Sequence, residues 1–237
     1  LKVFPGDTVA FSFELNLNNV ILILALYTSN IKCVPIYPQL PESTIEYILN
    51  LTSANLFIID SKSIFSTNLS ESFHDKYKVL DYESIARIAN TNHNYYIDIG
   101  SKIDPNDVNT IIFSSGSTGM PKGIMIQHSN LAKGATIVAN YLNVSCKDHI
   151  LTPLRPNFDY GLNQIWQTLL TGASMSSFSM RTPFLFFEYL QKLKPTIVPL
   201  MPAIIDILIH PPIDRLSKKF VNQSVRLVCS SGGKLTN

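Results

Sequence analysis

Short β-rich runs alternate with helix-like segments along almost all of this 237-residue chain, and no other feature constrains its fold so strongly. The runs fall at 8–13, 33–37, 56–59, 108–113, 150–152, 173–178, 196–198 and 225–229. A tight turn brings two strands together antiparallel, whereas strands separated by a helix-length connection pair in parallel through a crossover. The pattern therefore predicts an α/β fold of mostly parallel sheets flanked by helices. The apolar stretch 20–27 is far shorter than the ~20 residues of a membrane span and reads as a buried helix. Thr182 and Pro183 open another helix, since Thr accepts bonds from free N–H groups and Pro suits the first turn. Its apolar stripe is expected at Phe184, Phe187, Leu190 and Leu193. The polar stretch 90–107 has no period and reads as a surface connection, with a second break near 145–148. The sequence shows no internal repeat.

Composition removes several classes of function. With 46% apolar residues the chain has enough to build a substantial core, and a net charge of +2 with 15% charged residues gives no basic field for nucleic acid. Cys33, Cys146 and Cys229 form no C-x-x-C pair and read as free thiols of a reducing compartment. The N-x-[ST] patterns at Asn50, Asn68, Asn143 and Asn222 are chance matches in an asparagine- and serine-rich chain. The five histidines, at 74, 93, 128, 149 and 210, show no i, i+3 or i+4 pairing, so no metal ligand is assigned. His128 precedes a predicted helix over 130–141. A helix-entry role suits it better than a catalytic one, because no acid or nucleophile lies nearby in sequence.

Residues 114–123, SSGSTGMPKG, carry the chemistry. Gly116, Gly119 and Gly123 allow positive φ and close backbone approach, and consecutive N–H groups in such a turn form a nest for anions. Ser114, Ser115, Ser117 and Thr118 add hydroxyl donors, and Lys122 adds a full positive charge. Val108, Ile111, Ile112 and Phe113 read as a buried strand leading into this run, which places it at a strand's carboxyl end, where open α/β sheets bind ligands. A Walker loop requires glycine before the lysine and a hydroxyl after it. Pro121 precedes Lys122 here and Gly123 follows, so that reading fails.

The run resembles, at every position, the [ST]-[ST]-G-[ST]-T-G-x-P-K-G loop of the AMP-forming adenylating enzymes: acyl-CoA synthetases, luciferases and peptide-synthetase adenylation domains. Further motifs follow in the family's order. Pro5-Gly6-Asp7-Thr8 and Val34-Pro35-Ile36-Tyr37-Pro38 resemble its second core motif, and His128-Ser129-Asn130-Leu131 the opening of the helix after the loop. Asn157-Phe158-Asp159-Tyr160-Gly161 resembles the aromatic substrate motif, and Ser231-Gly232-Gly233-Lys234-Leu235 the turn that lies along adenine. The resemblance covers essentially the whole chain. It implies two α/β subdomains of the family's large domain, here 1–145 with the 114–123 loop and 146–237 with the 157–161 motif and the 230–235 turn. The family's later magnesium, ribose and catalytic-lysine motifs are absent, so the chain reads as an internal piece of a longer enzyme, inactive alone.

The implied reaction is activation of a carboxylic acid by ATP with Mg²⁺ to an acyl-adenylate, then transfer to CoA or to the phosphopantetheine of an acyl or peptidyl carrier protein. The alternative is a non-catalytic nucleotide-binding or regulatory homologue. Lys122 and Thr118 are the expected catalytic residues. Ser114, Ser115, Gly116, Ser117, Thr118, Gly119, Lys122 and Gly123 are expected to hold the phosphates, and Gly232, Gly233 and Lys234 the base. Lys234 stands where many acyl-CoA synthetases have alanine. Phe158, Asp159 and Gly161 are expected at the substrate. Asp159 has three readings: a partner for an α-ammonium, as in amino-acid-activating members; a position in an acyl-CoA ligase that reads no amine; or a cap for the helix starting near Gly161. ATP chemistry implies a cytoplasmic enzyme.

Overall fold

Parallel strands buried on both faces need helices above and below them. The computed structural model describes residues 3–12, 14–60, 69–91, 103–114, 119–178, 182–211, 213 and 224–233. The chain divides into two compact units, Leu1–Asn130 and Leu131–Asn237.

In the first unit, β1 (Thr8–Ser12), α1 (Leu17–Thr28), β2 (Lys32–Ile36), α2 (Glu42–Thr52), β3 (Leu56–Ile59), α3 (Glu71–Lys76) and β4 (Val79–Asp81) follow in turn. They lead through α4 (Tyr82–Thr91) to β5 (Val108–Ser114) and β6 (Lys122–Gln127). The sheet order is β4-β3-β1-β2-β5-β6, parallel throughout except for the antiparallel β5–β6 pair. β1 is central and buried at every residue. Asn16 caps α1 by accepting from the Asn19 N–H at 2.9 Å, which turns the chain from β1 into its crossover. One face of the sheet packs Ala10, Val34, Ile36 and Phe57 against Ile45, Ile48 and Leu49 of α2 and Phe73 of α3.

The second unit takes up the rest of α5 (His128–Tyr141), then β7 (His149–Thr152), α6 (Asp159–Thr171), β8 (Ser174–Ser177), α7 (Pro183–Leu193), β9 (Ile197–Leu200), α8 (Pro202–Ile209) and β10 (Leu227–Ser230). Its four strands lie in the order β10-β9-β7-β8, all parallel. The chain moves one way from β7 to β8 and the other way from β8 through β9 to β10. Right-handed crossovers then put α6 on one face and α7 and α8 on the other. The core agrees, for Leu151, Val198 and Leu200 pack with Phe186, Phe187 and Leu190 of α7 and Leu208 of α8. The strand order reverses between β7 and β9, and such a switch point opens a crevice at the carboxyl ends.

The order of β7 to β10 repeats that of β1 to β4, and so do the entries to the sheets. The Phe4 N–H donates to the Asp7 carboxylate at 2.8 Å while the Asp7 N–H returns to the Phe4 carbonyl at 3.0 Å. Ser145 and Asp148 make the same turn, at 2.9 Å and 3.0 Å, before β7. A polar side chain just ahead of the third strand then accepts from the first strand's leading N–H. That side chain is Asn55 for Thr8 at 3.2 Å and Thr196 for His149 at 3.0 Å. The fold thus repeats where the sequence shows no repeat.

The α/β class of mostly parallel sheets flanked by helices is the one the sequence predicts. Several details differ. β4 and β6 add to the eight expected strands. β4 has three residues, too few to show a period, and β6 mixes Lys122 and Gly123 with exposed Ile124 and Met125. α5 starts at His128, two residues earlier than expected. Thr182 is the N-cap of α7 by backbone geometry, with no side-chain capping bond. Phe184 is 61% exposed, and the buried stripe of α7 is Phe186, Phe187 and Leu190. A first-turn residue beside Pro183 falls on either side of a helix for the same local pattern; docking on the sheet decides.

Candidate functional site

In the first unit, Ser114 stands opposite Lys122 and Phe113 opposite Gly123 on the antiparallel β5–β6 pair. The connection between them hangs from the carboxyl end of β5, as the sequence predicts. Ser115, Gly116, Ser117 and Thr118 lie outside the described residues. Gly119 has φ +92°, a left-handed conformation that any side chain would strain. Ser114 and Lys122 are exposed, and the Lys122 ammonium makes no hydrogen bond or ion pair among the described residues. A Cβ at Gly123 would lie 3.2 Å from Ile111 Cγ2 and 3.3 Å from Phe113 Cζ, so glycine lets β5 side chains lie against β6. The hairpin therefore offers an exposed cation, without a partner among the described residues, close to the left-handed Gly119, a combination suited to an anionic ligand.

His128 does not join that group. Its ring meets Tyr27 edge to face at 5.9 Å, and Asn109 Nδ2 lies 3.2 Å from its Nδ1. An amide N–H facing Nδ1 makes that nitrogen the acceptor and leaves the proton on Nε2. Burial lowers the pKa of the ring against the opposing pull of Asp107. Those are the surroundings of a packed, neutral imidazole at a helix start, in line with the helix-entry reading.

In the second unit the motif and the turn share the carboxyl edge of the sheet. Phe158, with φ −140° and ψ 161°, is the N-cap of α6 and its carbonyl accepts from the Leu162 N–H at 3.0 Å. Asp159 is the first helical residue, exposed, and makes no hydrogen bond or ion pair among the described residues. α6 begins at Asp159 with Phe158 as its N-cap, so Asp159 does not stand before the helix as the capping reading required, and its carboxylate makes no capping bond among the described residues. A carboxylate in a first turn is favoured by the helix dipole without any partner. Gly161 is buried, and a Cβ there would fall 2.0 Å from the Arg155 carbonyl oxygen. Glycine is therefore what lets α6 seat against the 153–156 segment that leaves β7. The 230–233 turn continues from β10, with Gly232 at φ +88° and Gly233 beside Pro202. Lys234 lies outside the described residues.

One residue inside the quoted motif carries a role that the sequence reading did not give it. The Tyr160 hydroxyl donates to the Cys229 main-chain carbonyl at 3.1 Å and lies 3.4 Å from the Cys229 Sγ, joining the start of α6 to the end of β10. Burial, with the Cys229 thiol beside it, pushes the phenol well above its ordinary range. The available signal was a hydroxyl-bearing aromatic directly after Asp159, which when buried finds a polar partner.

Comparison with known proteins decides what this arrangement belongs to. Residues 1–237 match the family described as AMP-binding enzyme. The chain belongs to that family. Tyrocidine synthase 1 of Brevibacillus parabrevis is 29% identical over 204 residues, covering 85% of this chain and 18% of that protein. Nonribosomal peptide synthetase 4 of Gibberella zeae is 29% identical over 177 residues, covering 73% of this chain and 2% of that protein. Among solved structures, the O-succinylbenzoate coenzyme A synthetase MenE of Bacillus subtilis, in complex with AMP, superposes with a TM-score of 0.81 at 17% identity. It covers 98% of this chain and 56% of that one, and at such identity the likeness is one of fold. The chain thus spans under a fifth of these two curated relatives and about half of the solved structure.

Proposed function

We propose that this AMP-binding chain is the nucleotide-loop-bearing part of an ATP-dependent acid–thiol ligase, and that the acid is an amino acid. The observation that carries the substrate class is Asp159: an exposed carboxylate in the first turn of α6, with no hydrogen bond or ion pair among the described residues. A carboxylate so placed is a charge suited to a ligand ammonium, and one of the curated relatives compared above, nonribosomal peptide synthetase 4, is a peptide synthetase by name.

In the first step a carboxylate oxygen of the acid bonds to the α-phosphorus of ATP as the bond to pyrophosphate breaks. The two reactants are both anionic, so fixed donors and cations must lower their repulsion. Lys122 supplies a cation, with Ser114, Ser115, Ser117 and Thr118 as hydroxyl donors and Gly116, Gly119 and Gly123 shaping the N–H nest. Gly232, Gly233 and Lys234 take the base side, and Phe158, Asp159 and Gly161 the acid side. Mg²⁺ would neutralise part of the phosphate charge; the described residues contain no group of three potential ligands that could hold it alone. In the second step a thiol sulfur bonds to the acyl carbon and AMP leaves. An amino-acid substrate makes a carrier-protein phosphopantetheine the expected acceptor in place of CoA. A supply of ATP places the enzyme in the cytoplasm, and no described helix is long and apolar enough to cross a membrane.

The test is ATP–pyrophosphate exchange by the full-length protein against separate pools of amino acids, fatty acids and aryl acids. Stimulation by the amino-acid pool is expected, with Asp159→Asn lowering it at least tenfold. Exchange driven only by fatty or aryl acids overturns the substrate class, and no exchange with any pool overturns the activity.

A further inference from the structure

At the carboxyl edge of the second sheet, a side-chain hydrogen bond joins the start of α6 to β10. β9 is registered with β10 along four residues, from Ile197↔Leu227 to Leu200↔Ser230. With β7 it is registered at the single pair Ile150↔Ile197, near the amino ends of both strands. No ladder pair joins β7 and β9 at their carboxyl ends among the described residues. In a regular sheet β7 and β10, on either side of β9, stand ~9.5 Å apart. At this edge Tyr160 reaches from the β7 side to β10. It is held at both ends, for Gln164 Nε2 donates to its carbonyl at 3.1 Å while its own hydroxyl donates to the Cys229 carbonyl at 3.1 Å. Gln164 is itself buried, so this anchoring is not shared with solvent.

We propose that Tyr160 is a positioning residue: by tying the first turn of α6 to the Cys229 main chain, it fixes the spacing between Phe158-Asp159 and the 230–233 turn. The bond persists with pH, since burial raises both the phenol and the Cys229 thiol and keeps each neutral. Its action on catalysis rests on the adenylation reading above, in which those two segments hold the acid and the base. The hydroxyl acts through the turn and touches neither reactant in this scheme.

The test compares full-length protein with Tyr160→Phe, which keeps the ring and deletes the donor, and with Cys229→Ala, which keeps the carbonyl acceptor. In ligand-free protein, amide hydrogen exchange at 230–233 is expected to rise about fivefold in Tyr160→Phe, the worth of one net hydrogen bond, and to stay unchanged in Cys229→Ala. In pyrophosphate exchange the KM for ATP is expected to rise about fivefold in Tyr160→Phe with kcat within twofold of wild type. Unchanged amide exchange in Tyr160→Phe overturns the tie. A lowered melting temperature with unchanged KM overturns the positioning role, and equal effects in Cys229→Ala overturn the carbonyl as acceptor. A wild type inert toward every acid pool defeats the adenylation reading and with it the catalytic role of Tyr160, while the amide-exchange arm still decides the tie.

Discussion

Lys122 and Gly161 show how differently single residues of the two units are used. Lys122 holds an exposed ammonium at the start of β6, with no hydrogen bond or ion pair among the described residues. Lys122→Ala in the full-length enzyme is expected to slow adenylation at least tenfold, toward the ~3 kcal/mol typical of a lost preorganised donor, with the melting temperature unchanged. Equal pyrophosphate-exchange rates for variant and parent would remove the lysine from the mechanism. Gly161 is the opposite case. A methyl group there meets the Arg155 carbonyl oxygen at 2.0 Å, so α6 must move off the segment leaving β7. Gly161→Ala is expected to cost ~1–3 kcal/mol in urea unfolding, the range for overpacking, and to displace Phe158 and Asp159 as well. An unaltered unfolding midpoint would show that the helix seats without the glycine. The expectation for Lys122 comes from a local loop pattern. The reason for Gly161 was not legible in the sequence, because Arg155 approaches it only once β7 and α6 have packed.

Elements are locked together at the opposite, amino edge of the second sheet, and there the dominant residue is Asp148. Its carboxylate is 5% exposed and accepts from the Ser145 N–H at 2.9 Å, Thr196 Oγ1 at 2.7 Å, and Arg226 Nε and Nη2 at 2.8 and 2.9 Å. Arg226 also donates to the Leu142 and Asn143 carbonyls. One ion pair thus joins the end of α5 to the entries of β7, β9 and β10. Arg226→Ala leaves a buried carboxylate without its cation and is expected to cost ~3 kcal/mol, the low end for a broken buried pair because Arg226 is 40% exposed. Thermal or urea unfolding measures it, and a loss under ~0.5 kcal/mol would place the pair among weak surface bridges. These bonds hold the Asp148 carboxyl well below the ordinary carboxylate range. The folded protein therefore resists protonation there more than the unfolded chain does, and the stabilisation is complete above about pH 4 and fades as pH falls further. The stability gap between wild type and Asp148→Asn is expected to narrow as pH falls from about 4 toward 2. A gap that stays constant would show that the charge of Asp148 contributes nothing. Each partner was visible in the sequence as an ordinary polar residue. The convergence of four segments on Asp148 follows from strand order alone.

Across the whole molecule the two sheets separate stability from function in the same way. Both are entered at their amino edges through an aspartate-closed turn, at Asp7 and at Asp148, and each carries candidate residues of its own at strand carboxyl ends. Substitutions at the amino edges are expected to lower melting temperature with little change in KM. Those at Phe158 or Lys122 are expected to change KM or kcat at near-constant stability. Measuring both quantities for one variant at each edge checks this, and an amino-edge variant of normal stability but altered KM would break the division. The sequence by itself determined the α/β class and the run of short strands and crossover helices, which are written in local periodicity and backbone preference, and, through its motifs, the family. Tertiary structure decided the order β10-β9-β7-β8, the antiparallel β6, the exposure of Phe184 and the bond from Tyr160 to Cys229 across 69 positions of sequence. A local pattern says which residues seek burial or a partner, but which distant residue answers depends on how the strands are ordered.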